Sequence, residues 1–141
     1  MNITERYIKM CSQASEIQEL WRPNFGDYYW LGEEYLCNRE ACRLIDNGFD
    51  MISLQTDKQN RIWLPQADQM FDLLGGVSRI TLQLLVGTYA FYSTAALFSG
   101  TQLIDTSYVS LEELMLLTYM MHEHHKIWNE ERWILNEGEN K

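Results

Sequence analysis

The sequence predicts a mainly helical α+β fold, with amphipathic N- and C-terminal helices and a buried central helix packed with a small antiparallel β element. Three observations lead there. Apolar residues recur every three or four positions at the start, a capping box opens a helix near the end, and short aromatic or β-branched runs stand between turn residues in the first half. The expected organisation is one globular domain over 1–135. A frayed tail follows at 136–141, where Asn136-Glu137-Gly138-Glu139-Asn140-Lys141 carries no apolar group.

In the first helix Ile3, Tyr7, Met10, Ala14, Ile17 and Trp21 mark a buried face, and Glu5, Lys9, Ser12, Glu16 and Glu19 a wet one. Thr4 is its N-cap, and Arg22-Pro23 stops it because the residue before proline avoids the α region. Asn24-Phe25-Gly26-Asp27 reads as a turn and Tyr28-Tyr29-Trp30-Leu31 as a strand. Gly32 to Asp50 reads as a surface excursion with a helical turn around Glu40 to Ile45. Met51–Thr56 and Arg61–Leu64, joined by Asp57-Lys58-Gln59-Asn60, read as a hairpin that completes the sheet.

Pro65 suits the first turn of a short helix over Gln66–Leu74, stopped at Gly75-Gly76. Ile80 to Ile104 contains no charged residue. It is long enough to span a bilayer, but Thr81, Gln83, Thr88, Ser93 and Gln102 interrupt it and no basic cluster flanks it, so a core helix is predicted. Ser110 and Glu113 form the capping box of the last helix, which the periodicity carries to Trp128, with Leu114, Leu117, Met121 and Trp128 inside and Glu112, Glu123, Lys126 and Glu130 in water.

The formal net charge of −9 repels phosphate backbones, and the basic residues are scattered, so direct nucleic-acid binding is disfavoured. Three cysteines, Cys11, Cys37 and Cys42, cannot all pair within one chain. With no signal peptide ahead of the first helix, a reduced cytoplasmic setting without a membrane is expected.

His122-Glu123-His124-His125 approaches the H-E-x-x-H zinc helix, yet Lys126 occupies the place of the second imidazole. His122 and His125 could share a metal at i and i+3 only with a third ligand from elsewhere, and the expected role of the cluster is structural, with His124 and His125 bordering the buried stripe from its two sides. No nucleophile elbow, P-loop or dinucleotide fingerprint is present, and no cofactor or catalytic residue is expected. The aromatic residues near element ends are the more unusual feature. Tyr28, Tyr29, Trp30, Trp63 and Trp133 are the candidate partner contacts, because Trp and Tyr bury much area and keep a polar handle.

Three blocks together resemble a family of short proteins of unknown function encoded in tailed-bacteriophage and prophage genomes of Gram-positive bacteria. They are Tyr7 to Cys11 with Glu16-Ile17-Gln18, Trp21 and Gly26-Asp27; Ile62 to Pro65 with Asp68-Gln69 and Leu74-Gly75; and Glu113-Leu114 with His122-Glu123, Ile127-Trp128-Asn129 and Trp133. The stretch between Trp30 and Ile62 is longer, and Gly76 to Ser107 more apolar, than that family's pattern. The resemblance implies an accessory protein that works by binding in a host cytoplasm.

The leading expectation is thus a non-enzymatic protein-binding domain that also self-associates. Two alternatives stand beside it: a metal-dependent hydrolase using His122, Glu123 and His125 with Asp68 or Asp72, and an acidic DNA mimic presenting Glu112, Glu123 and Glu130 to a basic protein.

Overall fold

In the computed structural model, residues 3–22, 27–31, 42–43, 61–99 and 104–136 are described. The architecture is mainly helical α+β, with one three-stranded and one two-stranded antiparallel sheet among those residues. The chain divides into two compact units, Ile3–Gln66 and Ala67–Lys141.

In the first unit, α1 spans Glu5–Ser12 and α2 spans Ser15–Gln18. Thr4 caps α1 as the sequence indicates, its hydroxyl accepting from the Tyr7 amide at 3.0 Å. The single helix expected to reach Trp21 is broken at Gln13-Ala14. The break has a tertiary cause. The Gln18 carboxamide donates to the Cys11 carbonyl at 3.1 Å and to the Trp63 carbonyl at 3.0 Å, while its oxygen accepts from the Trp63 amide at 2.7 Å. One side chain thus ties the end of α1 to a strand. The apolar period survives, since Tyr7, Met10, Ala14, Ile17 and Trp21 are all buried.

Strands β1 (Tyr28–Leu31), β2 (Cys42–Arg43) and β3 (Arg61–Leu64) form a sheet in the order β2-β1-β3, with Tyr29 opposite both Cys42 and Trp63. The sequence reading of β1 and β3 holds. Cys42-Arg43 are strand rather than part of a helical turn, because they pair with the free side of β1. Met51–Thr56, the turn at 57–60 and the turn at 24–26 lie outside the described residues. Trp21 stacks on Trp63 at 6.4 Å and 4° and on Tyr29 at 6.4 Å and 30°, and its indole N–H donates to the buried Asp27 carboxylate at 3.0 Å. The Tyr7 hydroxyl donates to the Pro65 carbonyl at 2.6 Å, so the chain leaves the first unit with Pro65 fixed.

In the second unit, α3 covers Ala67–Leu73 and ends at Gly75 and Gly76, both at positive φ, +97° and +91°, where a side chain would be strained. Helix α4 runs Arg79–Ser99, a 3₁₀ turn covers Thr106–Tyr108, and α5 runs Leu111–His124. The capping box is present in full: the Ser110 hydroxyl accepts from the Glu113 amide at 3.1 Å, and the Glu113 carboxylate accepts from the Ser110 amide at 3.2 Å.

Helix α5 is the enclosed element of this unit. It packs against α3, α4 and β4 (Lys126–Trp128), and every residue from Met115 to Met121 is buried. Glu112, placed in water by the sequence wheel, is only 8 % exposed.

The last helix stops at His124, four residues short of the expected end. His125 adopts the left-handed conformation (φ 55°, ψ 40°), its amide donating to the carbonyls of Met120 and Met121. Lys126–Trp128 then pairs antiparallel with β5, Trp133–Leu135, with Ile127 opposite Ile134. The turn between them is shaped by Asn129, whose side-chain oxygen accepts from the amides of Glu131 and Arg132 at 3.0 and 2.9 Å. Asn136, expected to begin the frayed tail, donates from its amide to the His125 carbonyl at 2.7 Å.

The hairpin is joined to α4 by Tyr92, whose buried hydroxyl accepts from the Trp128 amide at 2.9 Å. Burial holds this phenol well above its ordinary value of 10.0, opposed in part by that hydrogen bond. A raised folded pKa means stability is full below about pH 10 and declines as the pH rises beyond it, where the unfolded chain releases the proton and the folded chain keeps it. Urea midpoints between about pH 9 and 11 are therefore expected to fall more steeply for the wild type than for Tyr92→Phe. Parallel curves would show that the buried phenol contributes nothing to alkaline denaturation.

Candidate protein-binding surface

The aromatic residues singled out by the sequence are drawn into the two units to different depths. Trp30 and Trp63 are buried, and Tyr28 and Tyr29 are half-buried. Tyr29 and Trp63 are cross-strand partners on the face where Trp21 stacks. Trp133 is half-buried and lies 5.1 Å from Trp128, ring to ring. None of the five is among the large exposed apolar side chains of the described residues.

His122 and His125 are exposed, His122 in the last turn of α5 and His125 just beyond it. His124 lies against the Tyr119 ring at 5.4 Å, and its buried Nε2 has no hydrogen-bond partner. Asp68 and Asp72 are exposed on α3. Among the described residues no group of three or more His, Cys, Asp or Glu side chains could hold a metal ion. The row of carboxylates imagined for a DNA mimic is interrupted as well, with Glu112 buried at one end of α5 and Glu123 exposed at the other.

The open apolar surface lies instead on α4. Among its described side chains this helix buries one stripe, Thr81, Leu85, Thr88 and Tyr92, spaced by four, three and four residues. The sequence expectation of a buried central helix is refined accordingly: from Ile80 to Ala95 the side chains outside that stripe are exposed or half-buried, and none is charged. Val77 just ahead of the helix is 71 % exposed, Ile80 and Val86 are 70 %, Leu82 is 49 % and Tyr89 is 44 %. The reason is positional. Among the described residues of this unit, α4 packs chiefly on α5 and the 3₁₀ turn, and the large apolar side chains outside its buried stripe stay exposed.

Two further seams with three- and four-residue spacing run along the open side, Leu82-Val86-Tyr89-Ser93 and Ile80-Gln83-Gly87-Ala90-Thr94. A shallow trough lined by Arg79, Leu82, Gln83, Val86 and Gly87 lies between them. At the far end the Ser93 hydroxyl donates to Thr106 at 3.2 Å, which ties the face to the turn bearing the exposed Tyr108.

The sequence signal for this surface was the absence of charge from Ile80 to Ile104. That signal suggests burial, but lack of charge reports only that a surface avoids water, not which element covers it. No helix among the described residues is long and apolar enough to cross a membrane. Comparison with family models, curated proteins and solved structures returns no match.

Proposed function

We propose that the chain is a non-enzymatic protein-binding domain, an accessory protein of phage or prophage type, and that it engages protein through the open face of α4, which carries no acidic residue. The observation that carries this reading is the exposure of Ile80, Leu82, Val86 and Tyr89 on one helix whose single charge, Arg79, stands at its first residue. Covering a side chain of this size is worth about 1.5–3 kcal/mol, and a helix apolar all round is ordinarily enclosed. The phage-like character rests on the three sequence blocks alone.

The surface is tested by placing a charge in it. Val86 is exposed, so Val86→Glu should leave the unfolding midpoint within about 0.5 kcal/mol of wild type. The same change should weaken retention of protein on the immobilised chain at least about tenfold, because covering the face would strip water from the new carboxylate. Equal retention by wild type and variant would remove α4 from the binding surface.

A further inference from the structure

We propose that the occupant of the α4 face is a second copy of this chain, packed antiparallel about a two-fold axis close to Gly87; this deepens the binding reading above and rests on it. Three observations select that occupant.

The first is charge. Arg79 is the only charged residue of α4 and stands at its N-terminal end, where the helix dipole is positive and a cation is disfavoured. It forms no ion pair among the described residues. An antiparallel second α4 brings its own C-terminal turn, the end that favours cations, alongside Arg79, and two-fold symmetry makes the same match twice. A parallel pair would set Arg79 against Arg79. Elsewhere two chains of net charge −9 repel, so a face without acidic residues is the surface on which they can meet.

The second is Gly87. A glycine inside a helix weakens it relative to alanine, and here nothing in the chain itself needs the missing side chain, because a Cβ at Gly87 would meet nothing within 4 Å. The notch is open outward. Gly87 also sits at the centre of its seam, with Ile80 and Thr94 seven residues to either side and Gln83 and Ala90 between. Antiparallel pairing about that centre places Ile80 opposite Thr94 and Gln83 opposite Ala90, and lets the two backbones approach at Gly87.

The third is area. A helix of 21 residues is about 30 Å long, and two such faces laid together reach the low end of stable interfaces, on the order of 1,200 Å² in total. That area suits a reversible dimer with a dissociation constant on the order of micromolar rather than an obligate one.

Sedimentation velocity of the purified full chain is the test. The weight-average mass should rise towards twice the monomer as the concentration passes through the micromolar range, and Gly87→Gln should shift that rise at least about tenfold higher. The same variant should unfold at a higher temperature when dilute, because glutamine is the better helix former. Opposite signs in the two measurements are the signature of a glycine kept for contact with another chain.

Under mild oxidant, Gly87→Cys and an equimolar mixture of Ile80→Cys with Thr94→Cys should give covalent dimers beyond the wild-type background, and Ile80→Cys alone should not. A wild-type chain that stays monomeric to about a hundredfold above the micromolar range would overturn the second copy. Were Val86→Glu still to weaken retention of other proteins, the binding reading would stand without it. Cross-linking by Ile80→Cys alone would overturn the antiparallel arrangement.

Discussion

Trp21→Ala should cost about 3–5 kcal/mol, read as a fall in the urea midpoint with an unchanged slope. Trp21 is buried at the meeting point of α2 and the sheet and does three things at once. Its ring stacks on Trp63 and Tyr29, its own area is almost wholly buried, and its indole N–H donates to Asp27. Alanine leaves a cavity that the paired backbone of β1 and β3 cannot close, and withdraws a donor from a buried carboxylate, which is costly in itself. Against a total of about 5–15 kcal/mol for a natural domain, the loss is a large fraction. Trp21→Phe should recover most of the packing and none of the hydrogen bond, and so fall between. A loss below about 1 kcal/mol for alanine would mean that the aromatic stack is not part of the core.

Trp128→Ala should be of similar size, about 3–5 kcal/mol. The Trp128 side chain is fully buried, its amide is held by the Tyr92 hydroxyl, and its ring lies against Trp133 across the hairpin. A two-stranded hairpin is marginal by itself in water, so β4 and β5 depend on this anchor to α4 and α5. Hydrogen exchange gives the sharper readout. Protection at the amides of Ile127, Ile134 and Asn136, which point across the hairpin, should drop to that of an open turn in the variant, while amides in the middle of α5 lose only what the global destabilisation takes. Unchanged hairpin protection would show that Asn129 and the backbone pairing hold it without the indole.

Local chemistry made part of this architecture legible. The Thr4 cap, the Ser110–Glu113 capping box, the Gly75-Gly76 stop and the strands at Tyr28 and Arg61 each follow from groups within a few residues of one another, and each is found where the sequence places it. What escaped depends on distant partners. Nothing near Gln13 announces the break in the first helix, since its cause is a carboxamide five residues on that reaches a strand 45 residues away.

The C-terminal hairpin was concealed for a different reason. Its start is a histidine in a conformation usually reserved for glycine, and Ile127-Trp128 continued the helical period by coincidence. Asn129 between two aromatic runs was the available sign. The candidate surface was half visible: the charge-free stretch stood out, but periodicity could not tell a helix covered on all sides from one covered on one.

The bond pattern of Gln18 has a consequence for how the chain behaves in company. In an antiparallel ladder a residue's N–H and C=O point to the same side, and those of Trp63 point away from β1, at the rim of the sheet. A carboxamide is chemically a peptide group, so Gln18 supplies the donor and acceptor that an incoming strand would bring, with none of the backbone needed to accept a further one. Among the described residues, the β3 edge of the first sheet therefore carries a plug rather than a template at Trp63. Association between chains is steered away from open-ended ladder growth at that rim, and a contact that closes on itself can form elsewhere without competition from fibrils nucleated there.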